Sequence, residues 1–251
     1  MKDKKTLVKD KETLVSEEKH DFSSLVALTA ALREPGGCPW DREQTHKSVR
    51  GCLIEETYEV VEGIDRDDKT LLCEELGDLL FQVLFHARIE EEQGNFNIGD
   101  VIDGITRKMI NRHPHVFGNV KVSDTGEVLD NWDAIKKEEK SLESDADQLR
   151  RVPPYLPALM RAQKIQKKAL RKFSYGFPDF SSALDYAKVT LDSVSSDRQG
   201  SGDNDSRNSE KIAVAIFALC SAAGFSGTDL EEKLTEISDR FVASFEEKQK
   251  N

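Results

Sequence analysis

The sequence predicts an all-α protein built as two tandem helical units. Three observations carry that expectation. Apolar residues recur at helical spacing through most of the chain, and no stretch alternates convincingly enough to argue for a strand. Clusters of proline and glycine, notably Pro35-Gly36-Gly37, His113-Pro114 and Pro153-Pro154, cut this pattern into helix-sized pieces. With 37% hydrophobic residues in 251, the chain can bury a real core, as one large domain or two small ones.

Residues 1–18 are charged and poor in aromatics, which predicts a flexible leader. A first helix is expected over residues 22–33, with Leu25, Leu28 and Leu32 on one side, stopping at Pro35-Gly36-Gly37. The Cys38-Pro39-Trp40-Asp41 segment reads as a loop. A second helix is expected over residues 47–64 and a third over 69–92, the latter closed by Gly94-Asn95. A fourth, over 98–111, carries Val101, Ile102, Ile105 and Ile110 and ends before His113-Pro114. Residues 117–122 are at most a short extended stretch. Pro153-Pro154 then marks a boundary, so residues 19–150 and 151–251 are read as separate helical domains. The second restarts at 156–173 under a positive face of Arg161, Lys164, Lys167, Lys168, Arg171 and Lys172. Residues 193–209 are too polar and too rich in glycine and serine to fold alone, and read as a disordered insertion. Helices over 210–223 and 229–247 complete the chain. Ile212-Ala-Val-Ala-Ile-Phe217 echoes Leu76-Gly-Asp-Leu-Leu-Phe81, which hints at an internal duplication.

Two acidic clusters stand out against these helices. At about 100° per residue, Glu59 falls about 40° from Glu55, so Glu55, Glu56, Glu59 and Glu62 make an acidic stripe. It opposes an apolar stripe of Leu53, Ile54, Val60, Val61 and Ile64. On the third helix Glu75, Asp78 and Gln82 share a stripe, while Leu72, Leu76, Leu79, Leu80, Phe81, Val83 and Leu84 fill the other faces. A helix apolar almost all round is normally buried, and a buried carboxylate takes up a proton or finds a cation. For the first cluster alone a solvated face explains the pattern as well. The pair of clusters is better explained by one shared cation site, and all-oxygen donors suit Mg²⁺ or Mn²⁺ completed by substrate phosphates. A di-iron bundle would need Glu-x-x-His pairs on facing core helices, and Glu17 to His20 and Glu43 to His46 fall outside both clusters.

Composition narrows the partners. With 47 acidic against 36 basic residues the net charge is -11, which repels nucleic-acid backbone and anionic membrane alike. Cys38, Cys52, Cys73 and Cys220 lack any Cys-x-x-Cys spacing and read as reduced thiols. The first residues contain no apolar signal region and the chain no apolar run of membrane length, so a cytoplasmic protein is expected. Lys108 and Arg112, four apart, are spaced either to grip phosphates or to complement a helix end. Trp132 and Trp40 lie in loop-like sequence, where a ring can stack on a base or simply pack. Lys136 and Lys137 can reach phosphate or form a solvated face. His113 and His115 flank a proline, and His46 and His86 read as structural or exposed.

Taken together, Gly37-Cys-Pro-Trp-Asp41, Leu53-Ile-Glu-Glu-Thr-Tyr-Glu-Val60, Glu75-Leu-Gly-Asp-Leu-Leu-Phe81, Arg112-His-Pro-His-Val-Phe117, Asn131-Trp132 and Leu156-Pro-Ala-Leu-Met-Arg-Ala-Gln-Lys-Ile-Gln-Lys167 resemble the MazG nucleoside triphosphate pyrophosphohydrolases in their tandem-domain form. The resemblance implies an all-α fold whose helices pair into four-helix-bundle-like cores across a homodimer. It implies hydrolysis of nucleoside triphosphates to monophosphate and pyrophosphate as nucleotide-pool house-cleaning. It further implies Glu56, Glu59, Glu75 and Asp78 as the Mg²⁺ ligands with Glu55 close by, and Lys108, Arg112 and Trp132 as nucleotide contacts. Glu55 or Glu59 is then the candidate to position or deprotonate the attacking water. Asn111 stands where the family commonly has arginine.

The second half departs from that pattern. Where a glutamate cluster would be expected the chain reads Tyr186-Ala-Lys-Val-Thr-Leu-Asp192, and Lys211 and Val214 replace the acids of the following helix. Residues 151–251 are therefore expected to be non-catalytic. The competing reading is a helical-bundle protein that binds nucleotide or a partner as a regulator without turnover. A narrower one is a dUTP or dCTP pyrophosphatase with the same metal architecture.

Overall fold

A computed structural model of the chain describes residues 11–16, 18–138, 144–196 and 203–250, and every regular element among them is a helix. In order these are α1 (Lys11–Ser16), α2 (Phe22–Arg33), α3 (Pro39–Glu43), α4 (Arg50–Asp65), α5 (Lys69–Glu92), α6 (Ile98–Arg112), α7 (Pro114–Phe117), α8 (Thr125–Glu138), α9 (Asp145–Arg150), α10 (Ala158–Phe173), α11 (Phe180–Ser196), α12 (Asp203–Phe225) and α13 (Leu230–Lys250). The chain divides into two compact units, residues 1–137 and 138–251.

In the first unit, local chemistry sets the helix starts. Asp21 caps α2 in a reciprocal box, accepting from Ser24 N at 2.9 Å while Ser24 Oγ accepts from Asp21 N at 3.1 Å. Asn97 and Asp100 do the same for α6, and Asp68 accepts from the Thr70 and Leu71 amides at the start of α5. The central feature is the hairpin of α4 and α5, closed by a turn in which Asp67 takes a left-handed φ of 52°. Gly63 makes the close approach possible, because a Cβ there would lie 2.9 Å from Leu72 N and 3.0 Å from Leu72 Cα. Val49, Phe85 and Ile89 bury together beside this hairpin, with Phe81 packed against them. The buried Arg33 locks α2 to the end of α5. It donates to both Glu92 oxygens at 3.0 and 2.9 Å and to the carbonyls of Asp41 and Gln44, and it lies over the Phe85 ring. Burial pushes Glu92 up, but hydrogen bonds from Arg33 and Arg88 outweigh it and hold the carboxyl below its usual value.

The second unit repeats the hairpin motif with α11 and α12. Small buried residues, Ala187, Ala215 and Ala218, let these helices approach, and Phe177 and Leu219 pack against them. Side-chain amides tie α10 to its neighbours: Gln163 donates to Thr228 O at 2.8 Å and accepts from Leu230 N at 3.1 Å, while Gln166 donates to Phe217 O at 2.6 Å.

Several expectations are corrected. The Cys38–Asp41 loop is largely the short helix α3, started by Pro39 at its first position. Trp132 lies in helix α8, not a loop, because Asp124 caps that helix by accepting from Glu127 N at 3.0 Å. Residues 11–16 of the expected leader are helical and pack on α2; residues 1–10 and 17 lie outside the described residues. Of the expected insertion, 193–196 finish α11 and 203–209 begin α12, as the flanking apolar stripes extend helix into polar sequence; 197–202 lie outside the described residues. Nor is α5 buried all round: Leu76, Leu80 and Val83 are exposed, since α4 and α2 cover its other faces.

Gly63→Ala is expected to destabilise the protein by about 1–3 kcal/mol, because the added methyl meets backbone that cannot yield. Urea unfolding followed by circular dichroism measures this, and a loss below about 0.5 kcal/mol would contradict so tight an approach.

Candidate functional site

The hairpin brings acids from both helices to one place. Glu56 on α4 and Glu75 and Asp78 on α5 each offer a carboxylate oxygen within 4.8 Å of the others. Glu75 is buried at 8% exposure, Glu56 is half-buried and Asp78 is exposed, so the group runs from the helix seam to the surface. Gln82, one turn beyond Asp78, donates to Glu56 Oε1 at 3.4 Å. Glu59, one turn beyond Glu56, hydrogen bonds to it and acts on Glu75 through its charge, although it falls outside the three-residue group. Glu55 stands exposed outside that group. Among the described residues this is the one group of three such ligands.

The arrangement is electrostatically unfavourable as it stands. Burial raises the Glu56 carboxyl above its usual value, helped by the hydrogen bond to Glu59 and the charges of Asp78 and Glu59. Glu75 is raised by burial and then by Glu59, Asp78, Glu74 and Glu56. Like charges this close cannot all ionise freely without a counter-charge. Oxygen-only donors converging from two helices, with the seam open at Asp78, fit a hard divalent cation.

The other sequence-derived residues form a group of their own at the α6–α8 junction. The Arg112 guanidinium lies over the Trp132 ring at 5.4 Å, and the His113 ring meets that tryptophan edge-on at 5.0 Å. His113 Nδ1 is 2.6 Å from Met109 O, so the histidine closes α6 and presents its ring to Trp132. Trp132 thus packs against Arg112 and His113 and orients the guanidinium. Lys108 is exposed on α6, and Lys136 is half-buried one turn beyond Trp132 on α8. Sequence reasoning paired Lys108 with Arg112 but did not join them to Trp132 and His113; the Asp124 cap was the signal that places Trp132 on a helix. In the second unit Lys211, at the position corresponding to Glu75, donates to Ser193 O at 3.5 Å across the α11–α12 hairpin.

A family model of the MazG nucleotide pyrophosphohydrolase domain matches residues 44–117, the segment that carries all of these acids. The chain is 36% identical over 229 residues to the nucleoside triphosphate pyrophosphohydrolase of Escherichia coli (strain K12), covering 91% of this chain and 87% of that protein. The chain belongs to the MazG family. Within the family it is also similar to the nucleoside triphosphate pyrophosphohydrolase/pyrophosphatase MazG of Thermotoga maritima, 35% identical over 225 residues, which cover 89% of this chain and 84% of that protein. A Bacillus subtilis (strain 168) protein named YabN is 43% identical over 234 residues, and there the chain spans only about half, 47%, of its relative. The MazG assignment agrees with an all-helical architecture and with an acidic hairpin suited to a divalent metal. Among the described residues no single helix is long and apolar enough to cross a membrane.

The raised carboxyls set a sign for pH dependence. A group whose folded pKa stands above its unfolded value, here 4.5, stabilises the fold fully below 4.5 and loses that contribution as pH rises through the folded value. In chelator, the melting temperature of wild type relative to Glu75→Gln is therefore expected to fall as pH rises from about 4.5 to neutrality. Divalent cation at neutral pH is expected to raise wild type more than the variant. Parallel pH curves in chelator would contradict the repulsion.

Proposed function

We propose that the first unit is a Mg²⁺-dependent nucleoside triphosphate pyrophosphohydrolase that clears unwanted triphosphates from the cytoplasmic nucleotide pool. The single observation that carries this reading is the convergence of Glu56, Glu75 and Asp78 in a hairpin whose sequence matches the MazG domain. Glu56, Glu59, Glu75 and Asp78 would hold the ion, with Mn²⁺ able to substitute. When bound, it neutralises triphosphate charge and favours attack at phosphorus.

The chain's own groups then divide the remaining work. Hydrolysis at the α-phosphorus forms a bond from the water oxygen and breaks the bond to the bridging oxygen, so pyrophosphate leaves with the electron pair. Glu55 or Glu59 orients that water and accepts its proton. Arg112, steadied by Trp132, and Lys108 and Lys136 offer cations to the phosphates. Residues 138–251 serve a non-catalytic role, since Lys211 and Val214 supply no carboxylates.

A second copy of the chain is the proposed cover for the apolar faces left open on α5 and α6, where Leu76, Leu80, Val83, Val101, Ile102 and Ile105 are all exposed. Light scattering is expected to give about twice the chain mass of 28.2 kDa; a monomer at micromolar concentration would reject the homodimer.

The reaction is tested by incubating purified protein with a nucleoside triphosphate panel and Mg²⁺. Monophosphate and pyrophosphate are expected, with Glu59→Gln and Asp78→Asn each lowering kcat by about 100-fold or more. Release of orthophosphate alone would reject the reaction class. Tight nucleotide binding without turnover would favour the regulatory reading that the altered second unit suggests.

A further inference from the structure

A chain of polar side chains outside the acidic seam joins the loop ahead of α4 to α5. His46 Nδ1 lies 2.7 Å from His86 Nδ1, with the two rings stacked at 5.0 Å and 11° between planes. On its other side His46 Nε2 lies 2.5 Å from Glu90 Oε1, and Asn95 donates to Glu90 Oε2 at 2.7 Å. His86 Nε2 is buried and has no hydrogen-bond partner.

Proton counting restricts this arrangement. Glu90 is a carboxylate acceptor, so His46 Nε2 carries a hydrogen. The Nδ1 to Nδ1 contact needs one hydrogen between the two nitrogens, supplied by either ring. The pair can thus hold one proton beyond neutrality, but with two, N–H would face N–H at 2.7 Å. Burial first, and then the charge of His46, holds His86 below the usual histidine value of 6.5. Hydrogen bonds from Asn95 and then His46 hold Glu90 below the usual carboxylate value. A proton on the His46 side faces the Glu90 carboxylate, whereas His86 Nε2 has no acceptor, so His86 is the ring whose protonation its surroundings oppose.

The location gives the pair leverage. His46 precedes buried Val49, which packs on Phe85 and Ile89 around His86. One turn before His86 on α5, Gln82 reaches Glu56. The contacts Gln82 to Glu56 and His46 to His86 thus bracket the entry of α4 onto α5. The charged groups of the neighbouring elements are engaged elsewhere or exposed. Arg33 of α2 is held by Glu92 and by the Asp41 and Gln44 carbonyls, and Arg88 of α5 by Glu91 and Glu92. Glu43 of α3, Lys47 in the loop and Arg50 of α4 are exposed.

We propose that His46 and His86 are positioning residues, a pin that shares one proton, sets the acid-bearing part of α4 against α5, and opens when both rings are protonated, lowering turnover reversibly in mild acid. This rests on the pyrophosphohydrolase reading for its effect on turnover, but not for its effect on structure. A histidine pair of this kind adds an acid limb of its own to that of the carboxylates, and it acts through placement of Glu56 and Glu59 rather than through contact with substrate.

Two measurements on the full chain separate the pin from the reaction. Histidine ring ¹⁵N NMR of metal-free protein is expected to show His46 and His86 titrating in two separated steps. The Val49 methyl groups, packed on Phe85 and Ile89, should shift with the second step alone. Two independent titrations near the ordinary histidine value, with Val49 unmoved, would overturn the pin whether or not the protein is an enzyme. The second measurement compares kcat from about pH 5 to 8, where wild type is expected to lose about tenfold per pH unit below the second step. His86→Gln, which keeps an amide donor but takes no proton, should lose this limb, and His46→Asn, the alternative should His86→Gln misfold, should lose it too. Turnover with an identical acid limb in a folded variant would reject the proposal and leave the enzyme reading standing. Absence of turnover at every pH would reject the enzyme reading and leave the NMR titration to decide the pin.

Discussion

Repulsion among carboxylates held in the α4–α5 hairpin is the constraint on which the functional unit depends. The hairpin can close tightly because Gly63 presents no side chain to Leu72, and closure forces Glu56, Glu75 and Asp78 within reach of one another. A helix pair selected only for stability would not bury Glu75 against four other acids. A positive charge arriving from outside would relieve the strain, so the geometry that weakens the hairpin suits a divalent cation.

The rest of the first unit keeps that geometry fixed. Arg33 gathers the end of α2, the α3 region and Glu92 around one guanidinium, which prevents the segment ahead of α4 from drifting. The histidine pair works on the same segment from the α5 side. At the α6–α8 junction Trp132, itself packed by His113, orients Arg112, so the guanidinium would lose less side-chain freedom on meeting an anion. The second unit retains the hairpin plan but replaces the repelling acids. Small alanines pack its seam, and Lys211 reaches across to the partner helix.

Much of this was legible in the sequence. The spans 22–33 and 69–92 coincide with α2 and α5, because a capping Asp21 or Asp68 opens each and an apolar stripe runs its whole length. The two acidic clusters could be assigned to one site because Asp78 sits in an otherwise apolar helix. Less legible was α8, whose apolar stripe is thin and whose cap lies in polar surroundings; Trp132 was therefore read as a loop residue. The helix turns at 193–196 and 203–209 were missed for a related reason: composition measures whether a segment folds alone, not whether its neighbours extend helix into it. The exposed apolar face of α5 was missed as well, because hydrophobic content along one helix does not say which neighbours reach each of its faces.

By itself the sequence determined the helical class, the apolar stripes of α2 and α5 and the two acidic clusters, since these depend on periodicity and residue chemistry along a single helix. Only the tertiary structure decided that Glu56 joins Glu75 and Asp78 while Glu55 stands apart, that Arg112 rests on Trp132, and that His46 meets His86. Those pairings join residues distant in sequence, and their distances are fixed by how closely two helices approach, a quantity that no local pattern encodes.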